Sequence, residues 1–237
     1  MQGAEVPSVK TLIAIDGLDG SGKETQTHML EQALREKGIP CRTISFPTYD
    51  SEMSAAVNLY LQGRFGQDPN AVNGYAASAF YAIDRFCSYR LDWQKDYEAG
   101  TVILANRYTT ANAVHQLSKL PPEEYDAFLD WLFDFEYGKL GLPSPDLVLY
   151  LCVPPAVSAS LIRRRASETG RQTDIHEKSP SHLQDSYRAA LYASEKLGWK
   201  TVHCAVEAGD TLRTREDIHS QVLGYVEQLL RDQRKAW

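Results

Sequence analysis

Residues 11–23 read TLIAIDGLDGSGK, an apolar run that changes into a glycine-rich loop and ends in a lysine. Glycines at positions 17, 20 and 22 allow successive backbone N–H groups to turn inward without a clash at Cβ. Lys23 adds a positive charge that can reach the outer phosphates of a nucleotide. This stretch therefore predicts a buried strand followed by a phosphate-binding loop.

The segment after the loop has the pattern of a helix. Met29, Leu30, Ala33 and Leu34 recur at helical spacing, and Gly38 ends the pattern. Because a helix N-terminus carries partial positive charge, a helix that begins at the end of the loop favours an anion there. A nucleotide is accordingly the first ligand that we infer.

Length and charge limit the classes of protein to consider. The chain has 237 residues, 43% of them hydrophobic, and we expect a single domain over 1–237 with a flexible N-terminus at 1–10. The net charge of −6 argues against a broad nucleic-acid-binding surface, which is normally basic. No apolar run approaches the ~18 residues of a membrane span, and residues 1–10 lack the apolar centre of a signal peptide. We therefore expect a cytoplasmic protein with no membrane or nucleic-acid partner.

Short runs rich in β-branched residues alternate with longer helical segments, which is typical of a parallel sheet covered by helices on both faces. The predicted fold class is α/β, with a five-stranded parallel sheet flanked by helices. The predicted strands cover residues 11–16, 41–46, 101–105, 146–151 and 200–206. The predicted helices lie near residues 22–37, 52–63, 70–98, 111–119, 122–137, 155–167, 180–197 and 214–234.

Side chains that follow the strands are candidate site residues, because ligands of open α/β sheets bind beyond the carboxyl ends of the strands. Arg107 follows the third strand, where its guanidinium could hold a phosphate or form a surface ion pair. Phe46 and Tyr49 follow the second strand, in a turn that a proline fixes whether or not it binds a ligand. Tyr81 and Arg85, one helical turn apart, could contact a base, or pack as part of a helix.

One polar segment between two predicted helices, residues 163–181, shows no hydrophobic periodicity. We expect it to form a flexible lid. Its arginines could neutralise phosphate charge, and the first three could instead form a solvated helix face. These arginines are Arg163, Arg164, Arg165 and Arg171.

Taken in order, the glycine loop, FPTY at 46–49, YAIDR at 81–85 and NRY at 106–108 resemble the thymidylate kinase family of P-loop nucleoside monophosphate kinases. Residues 141–151, GLPSPDLVLYL, are similar to the family's segment that leads into the fourth strand. The resemblance implies transfer of the γ-phosphate of ATP to thymidylate (dTMP), giving dTDP, with Mg²⁺ as cofactor. It also implies a P-loop core with a short lid and a homodimer.

The resemblance also implies roles for individual residues. Tyr49 and Arg107 would hold the phosphate of the acceptor, Tyr81 would stack on thymine, and Arg85 and Asn112 would reach the base edge. The implied catalytic residues are Lys23, Arg107, Arg171 and Asp19. The implied ATP-binding residues are Gly17, Leu18, Asp19, Gly20, Ser21, Gly22, Lys23, Glu24 and Thr25. The implied substrate-binding residues are Phe46, Tyr49, Tyr81, Arg85, Arg107, Asn112 and His115. The implied lid residues are Arg163, Arg164, Arg165, Arg171, Asp174, His176 and Glu177, and the implied metal ligands are Asp19 and Glu177.

Three positions depart from the family pattern. Glu24 replaces the hydroxyl residue that normally binds Mg²⁺, so we expect Asp19, helped by Glu177, to hold the metal. Asn106 stands where the family has aspartate at the strand end. Gly20 stands where some members have a loop arginine, so we expect Arg171 of the lid to supply the cation for the transition state.

Two other functions stay open from the sequence. A kinase of another nucleoside monophosphate, or of a deoxynucleoside, is one alternative, because His115 replaces a tyrosine that commonly lies near the sugar. A non-catalytic nucleotide-binding regulatory protein is the other, because Glu24 and Asn106 both depart from the pattern. Lys23, Arg107 and the arginines of the lid favour an enzyme.

Overall fold

A computed structural model describes residues 9–169, 175–176, 179–206 and 211–235, with the backbone alone for residues 165, 166, 168 and 169. Most of the expected flexible N-terminus, residues 1–8, lies outside these residues. The strands are β1 (Leu12–Gly17), β2 (Cys41–Ser45), β3 (Val102–Asn106), β4 (Leu147–Cys152) and β5 (Lys200–His203). They form one five-stranded parallel sheet in the order β2-β3-β1-β4-β5, which confirms the predicted fold class.

Helices lie at each position where the sequence predicts one. They are α1 (Lys23–Glu36), α2 (Ala55–Leu61), α3 (Gly74–Ser88), α4 (Gln94–Glu98), α5 (Thr109–His115), α6 (Tyr125–Phe133), α7 (Pro155–Thr169), α8 (Pro180–Lys196) and α9 (Arg215–Lys235). The long helix predicted over 70–98 is divided, because a π-helical turn at Tyr89–Trp93 separates α3 from α4. A second π-helical turn, Asp134–Lys139, follows α6.

Strand β1 lies at the centre of the sheet and is buried on both faces. Ile13 and Ile15 pack on one face, in a cluster with Leu30 of α1 and Val222 of α9. The alternate residues of the strand face the opposite side, where Leu12 belongs to a cluster built around aromatic side chains. Burial on both faces explains why this strand reads as a continuous apolar run.

The strand order places the carboxyl ends of β2, β3 and β1 side by side. Ile15 of β1 is paired with Asn106 at the end of β3, and Ser45 of β2 is paired with the same asparagine. The glycine loop after β1, Phe46 after β2 and Arg107 after β3 therefore meet at one edge of the sheet. Within the described part of the chain, no helix has the length and apolarity needed to cross a membrane.

Candidate active site

The phosphate loop, residues 17–23, is closed by its own lysine. Lys23 is the first residue of α1, and its Nζ donates to the carbonyl oxygens of Gly17 and Leu18, both at 2.8 Å. The side chain is nearly buried, with 8% of its surface exposed. A buried ammonium and the N-terminus of a 14-residue helix thus adjoin the same loop and make it attractive to an anion.

Helix α7 packs directly on this loop. The Ser158 hydroxyl donates to the carbonyl oxygen of Asp19. Gly20 has a φ of +77°, and a Cβ there would lie 3.1 Å from Cβ of Leu161 and 3.2 Å from the carbonyl oxygen of Ser158. The left-handed backbone and the lack of space explain why this loop has glycine at position 20 rather than an arginine.

Residues 19–25 line an open cleft of about 830 Å³, here named the loop cleft. It contains every ATP-binding residue that the sequence predicts except Gly17 and Leu18, whose carbonyl oxygens accept from Lys23. Arg164 of α7 also lines this cleft.

Arg107 occupies the junction between the loop and the rest of the site. It has a φ of +66°, an uncommon conformation for a residue with a side chain, and its backbone N–H donates to Ile15 at 3.0 Å. Its Nη2 donates to Oδ1 of Asp19 at 2.5 Å, and its Nη1 lies 2.9 Å from Nε2 of His115. Such a conformation persists only where the surroundings fix it, and it is concentrated at functional sites.

The Asp19–Arg107 pair is charged at neutral pH. Burial raises the pKa of the Asp19 carboxyl, but the charges of Arg107 and Lys23 outweigh burial and hold the pKa well below its usual range. Burial lowers the pKa of the Arg107 guanidinium, and Asp19 with Asp16 raises it by more than that. The two residues that the sequence assigns to metal and phosphate therefore neutralise each other here.

A second pocket, here named the inner pocket, lies beside the loop cleft. It brings together all seven substrate-binding residues that the sequence predicts, from four separate stretches of chain. They are Phe46, Tyr49, Tyr81, Arg85, Arg107, Asn112 and His115. The two cavities share side chains, namely Asp19, Phe46, Tyr49 and Arg107. The two cavities therefore adjoin at these side chains.

The turn that carries Phe46 and Tyr49 is held from α3. Asp84 is fully buried, and its carboxylate accepts hydrogen bonds from the backbone N–H of Thr48 at 3.1 Å and from the Thr48 hydroxyl. The aspartate of the YAIDR motif therefore supports the FPTY turn, and Tyr81 and Arg85 of the same helix line the inner pocket.

A buried glutamate that the sequence analysis missed organises the inner pocket. Glu136, in the π-helical turn after α6, is fully buried and accepts from Nε and Nη2 of Arg85 at 2.7 and 2.5 Å. It also accepts from Thr109 Oγ1 at 2.8 Å and from Asn112 Nδ2 at 3.1 Å. No local pattern singles it out, because its aromatic stretch, FLDWLFDFEY at 128–137, also contains Asp130 and Asp134. Such an acid is seldom fully buried unless it has partners.

Asp16 is a second buried acid that the sequence did not single out. Its Oδ2 accepts from the hydroxyl of Thr110 at 2.7 Å, and its Oδ1 accepts from the N–H of Gly17 at 2.8 Å. It joins the end of β1 to the beginning of α5.

Three histidines meet at the wall of the inner pocket, which His115 and His176 line: His115, His176 and His182, each with a ring nitrogen within 4.8 Å of the others. Burial, followed by the charge on Arg107, holds the pKa of His115 well below its usual value. Burial and the two neighbouring histidines do the same for the pKa of His176, and burial lowers the pKa of His182 to about 4. Neutral imidazoles can hold a transition metal. Here the Ser186 hydroxyl lies 3.4 and 3.3 Å from nitrogens of His115 and His182, so the cluster is also hydrogen-bonded.

Lys119 is a further basic residue beside these histidines, and its side chain is partly buried. Its Nζ donates to the Tyr60 hydroxyl at 2.7 Å, and that hydroxyl lies 2.7 Å from Nε2 of His176. Burial lowers the pKa of Lys119 to about 7. Because Arg107 and Lys119 are both close to the cluster, a metal cation there would be repelled from two sides, and we assign no metal to it.

The loop cleft has the oxygen ligands that suit a hard cation such as Mg²⁺. Asp19 is ionised, and Glu24 and Asn106 line the same cleft. Oδ1 of Asn106 is buried, and no residue in the described ranges donates to it. A buried oxygen without a donor is suited to accept from a water of a hydrated cation, so these residues fit Mg²⁺.

The predicted lid is only partly described. Arg163 and Arg164 are exposed on α7, which extends to Thr169, two residues past its predicted end. Ile175 and His176 are buried against the residues around Tyr60. The side chain of Arg165, together with Arg171, Asp174 and Glu177, lies outside the described residues.

Comparison with known proteins gives a consistent result. The family model for thymidylate kinase matches residues 15–211. A thymidylate kinase of Mycobacterium tuberculosis is 30% identical over 190 residues, covering 79% of this chain and 87% of that protein. The thymidylate kinase of Danio rerio is 23% identical over 223 residues, covering 92% and 91%. That of Homo sapiens is 28% identical over 140 residues, covering 59% of each chain.

The matched range includes the phosphate loop and every residue of the inner pocket. It thus spans the site and most of the sheet that supports it, from Ile15 of β1 to the end of β5. The chain belongs to the thymidylate kinase family.

Proposed function

We propose that the chain transfers the γ-phosphate of ATP to dTMP and releases dTDP. The observation that carries this proposal is the junction of two cavities at Arg107 and Asp19. One cavity is a phosphate loop at a helix N-terminus, and the other contains all the predicted acceptor-binding side chains. In-line phosphoryl transfer needs a donor and an acceptor in this arrangement, and it depends mainly on positioning and neutralisation of charge.

The Asp19–Arg107 pair would exchange partners on binding. Arg107 would turn from Asp19 to the phosphate of dTMP, where its planar guanidinium matches two phosphate oxygens. Asp19 would then hold Mg²⁺, with Glu24 and Asn106 in the same cleft and Glu177 as a further ligand. Bound Mg²⁺ would neutralise charge on the ATP phosphates. Arg107 would then be neutralised by the phosphate and Asp19 by the metal ion, so neither charge would be left unpaired.

The remaining residues would bind the two nucleotides. The N–H groups of the loop and Lys23 would hold ATP, and Tyr49 would help Arg107 with the acceptor phosphate. Tyr81 would stack on the thymine, while Arg85 and Asn112 would contact its edge and His115 the sugar. Arg171 would supply the cation for the transition state when the lid closes.

A panel of acceptors tests the proposed function. ADP release is measured with dTMP, dUMP, dAMP, dGMP and thymidine, and the product is identified by mass. We expect dTMP and dUMP to react, and kcat/KM for the purine nucleotides to be roughly 10²-fold lower, because the family resemblance implies a pyrimidine nucleotide as the acceptor. Comparable rates with dAMP would indicate another monophosphate kinase. Reaction of thymidine would indicate a nucleoside kinase. If no acceptor gave rise to ADP, the chain would be a nucleotide-binding protein without kinase activity.

We also propose a homodimer, as the family resemblance implies. Ile83 of α3 and Leu91 of the following turn are 48% and 79% exposed, although both are large and apolar. Sedimentation velocity of the wild type and of Leu91→Glu tests this, and a monomeric wild type would contradict it. The cytoplasmic location and the single-domain organisation remain predictions.

A further inference from the structure

Glu136 accepts four hydrogen bonds on one fully buried carboxylate. Its Oε2 accepts from Arg85 Nε and Thr109, and its Oε1 accepts from Arg85 Nη2 and Asn112. Arg85 is also buried, with 1% of its side chain exposed. Burial lowers the pKa of Arg85, but the charge and the hydrogen bonds of Glu136 are the main causes that together raise the pKa above its usual value, so the guanidinium stays charged. Glu136 and these three partners are here named the Glu136 cluster.

The orientation of the Asn112 amide follows from this cluster. Its Nδ2 donates to Oε1 of Glu136 at 3.1 Å and to the backbone carbonyl of Ser78 at 3.3 Å. Both partners can only accept, so turning the amide over would place Oδ1 against two oxygens. Among the described residues none donates to Oδ1, and Asn112 lines the inner pocket. Asn112 therefore presents an acceptor to a ligand.

Arg85 presents hydrogen-bond donors to the same pocket. Nε and Nη2 are engaged with Glu136, and Nη1 lies 3.4 Å from the carbonyl oxygen of Tyr108. A guanidinium has further N–H groups on Nη1 and Nη2, and Arg85 also lines the pocket. The pocket thus offers a donor beside an acceptor. Thymine and uracil present the complement, O4 beside N3–H, whereas cytosine presents an amino group beside an unprotonated N3.

We infer that Glu136 is a positioning residue that sets the hydrogen-bond polarity of the base pocket, so that the enzyme accepts thymine and uracil and rejects cytosine. The inference rests on the proposed function. Glu136 does not touch the base. It acts by accepting one amide N–H of Asn112, beside the one that the Ser78 carbonyl accepts, which leaves the acceptor for N3–H, and by fixing the plane of Arg85. A mismatched base would leave buried polar groups unpaired, which is the strongest source of discrimination between bases of similar size.

The decisive experiment is Glu136→Gln with dTMP and dCMP as competing acceptors. An amide at this position donates as well as accepts, so only the Ser78 carbonyl still opposes the turned-over Asn112 amide, and the orientation that presents N–H groups to the pocket becomes more populated. We expect the ratio of kcat/KM for dTMP to that for dCMP to fall about tenfold or more. Removing one charge of a buried pair also destabilises a protein. The ratio is measured on one preparation, so the concentration of folded enzyme cancels.

Two controls separate positioning from stability. Thr109→Val removes a donor from the same carboxylate but leaves Arg85 and Asn112 paired, so its melting temperature should fall while the ratio stays within about twofold. Glu124→Gln makes the same chemical change at an exposed position and should alter neither quantity. A Glu136→Gln enzyme with the wild-type ratio would overturn the inference, and so would a Thr109→Val enzyme that loses selectivity to the same extent.

A measurement on the wild type does not depend on a variant that folds. The side-chain amide protons of Asn112, resolved by ¹⁵N labelling, should exchange slowly with solvent because two buried acceptors hold them. Rapid exchange would overturn the inference. Failure of the wild type to phosphorylate dTMP would instead refute the proposed function, which is a separate outcome.

Discussion

The phosphate loop and the Glu136 cluster belong to two adjoining cavities of one site and are built in opposite ways. In the loop, Lys23 reaches carbonyl groups only five and six residues earlier in the chain. In the cluster, Glu136 is 51 residues from Arg85 and 24 from Asn112. The loop is thus a local structure that short sequence spacing specifies. The cluster exists only because the fold brings distant helices together. Substitutions in the loop should therefore act on turnover, and substitutions behind the pocket on selectivity and stability.

The largest expected effect is that of Lys23→Ala. The substitution removes a charge that lies on the loop while the distant contacts of the fold remain, so we expect kcat to fall roughly 10²–10³-fold with the fold intact. A coupled ADP assay gives kcat, and circular dichroism checks the fold. Lys95→Ala, which changes an exposed lysine outside both cavities, is the control. Turnover within tenfold of the wild type would show that the loop does not hold the donor phosphates.

Arg171→Ala tests whether the loop needs help from the lid. Because position 20 holds glycine and not arginine, we expect the additional cation for the transferring phosphoryl group to come from elsewhere. We expect kcat to fall about 10²-fold, with a smaller change in KM for ATP. Arg90→Ala, at an exposed position, is the control. A change in KM alone would make Arg171 a binding contact and would direct attention to Arg163, Arg164 and Arg165.

Asp19→Asn and Glu24→Ser compare two acids of the same cleft. Asp19 is ionised and paired with Arg107, whereas Glu24 is exposed. We expect the Mg²⁺ concentration for half-maximal rate to rise about tenfold in Asp19→Asn and to change by less than about twofold in Glu24→Ser. An unchanged magnesium requirement in Asp19→Asn would contradict its assignment as a metal ligand.

The smallest expected effect concerns pH and the histidine cluster. The pKa of His182 is about 4 in the fold, below its ordinary value of 6.5, so the unfolded chain binds the extra proton. The contribution of the neutral His182 to the free energy of unfolding is therefore present above about pH 6.5. It is lost as the pH falls from about 6.5 towards 4. Between pH 7.5 and 5.5, His182 should remove about 1 kcal/mol of unfolding free energy. In urea unfolding, the unfolding free energy of His182→Gln should depend less on pH than that of the wild type. His203→Gln changes an exposed histidine and should keep the wild-type dependence. Equal slopes in all three proteins would contradict the buried, neutral state of His182.

Much of the site could be predicted because its motifs follow directly after strands. The glycine loop, the FPTY turn and Arg107 each lie at the carboxyl end of a strand, and a parallel sheet brings those ends to one edge. The predicted α/β fold and the predicted family are both confirmed. The roles of the individual residues remain predictions that the experiments above can test.

The residues that the sequence analysis missed share one property. Glu136, Asp16 and Lys119 are charged groups whose partners lie far away in the chain, and no local pattern marks such a group. Glu136 stands in an aromatic stretch that reads as helix core, and only the π-helical turn places its carboxylate beside Arg85.

The sequence alone thus determined what depends on neighbours along the chain: the strands, most helix positions, the phosphate loop and the family. The tertiary structure decided what depends on distant partners. It paired Asp19 with Arg107, placed α7 against Gly20, and set the amide orientation of Asn112 through Glu136. The physical reason is that burial makes an unpaired charge or amide costly, and the partner that removes this cost is chosen by the packing of the whole chain.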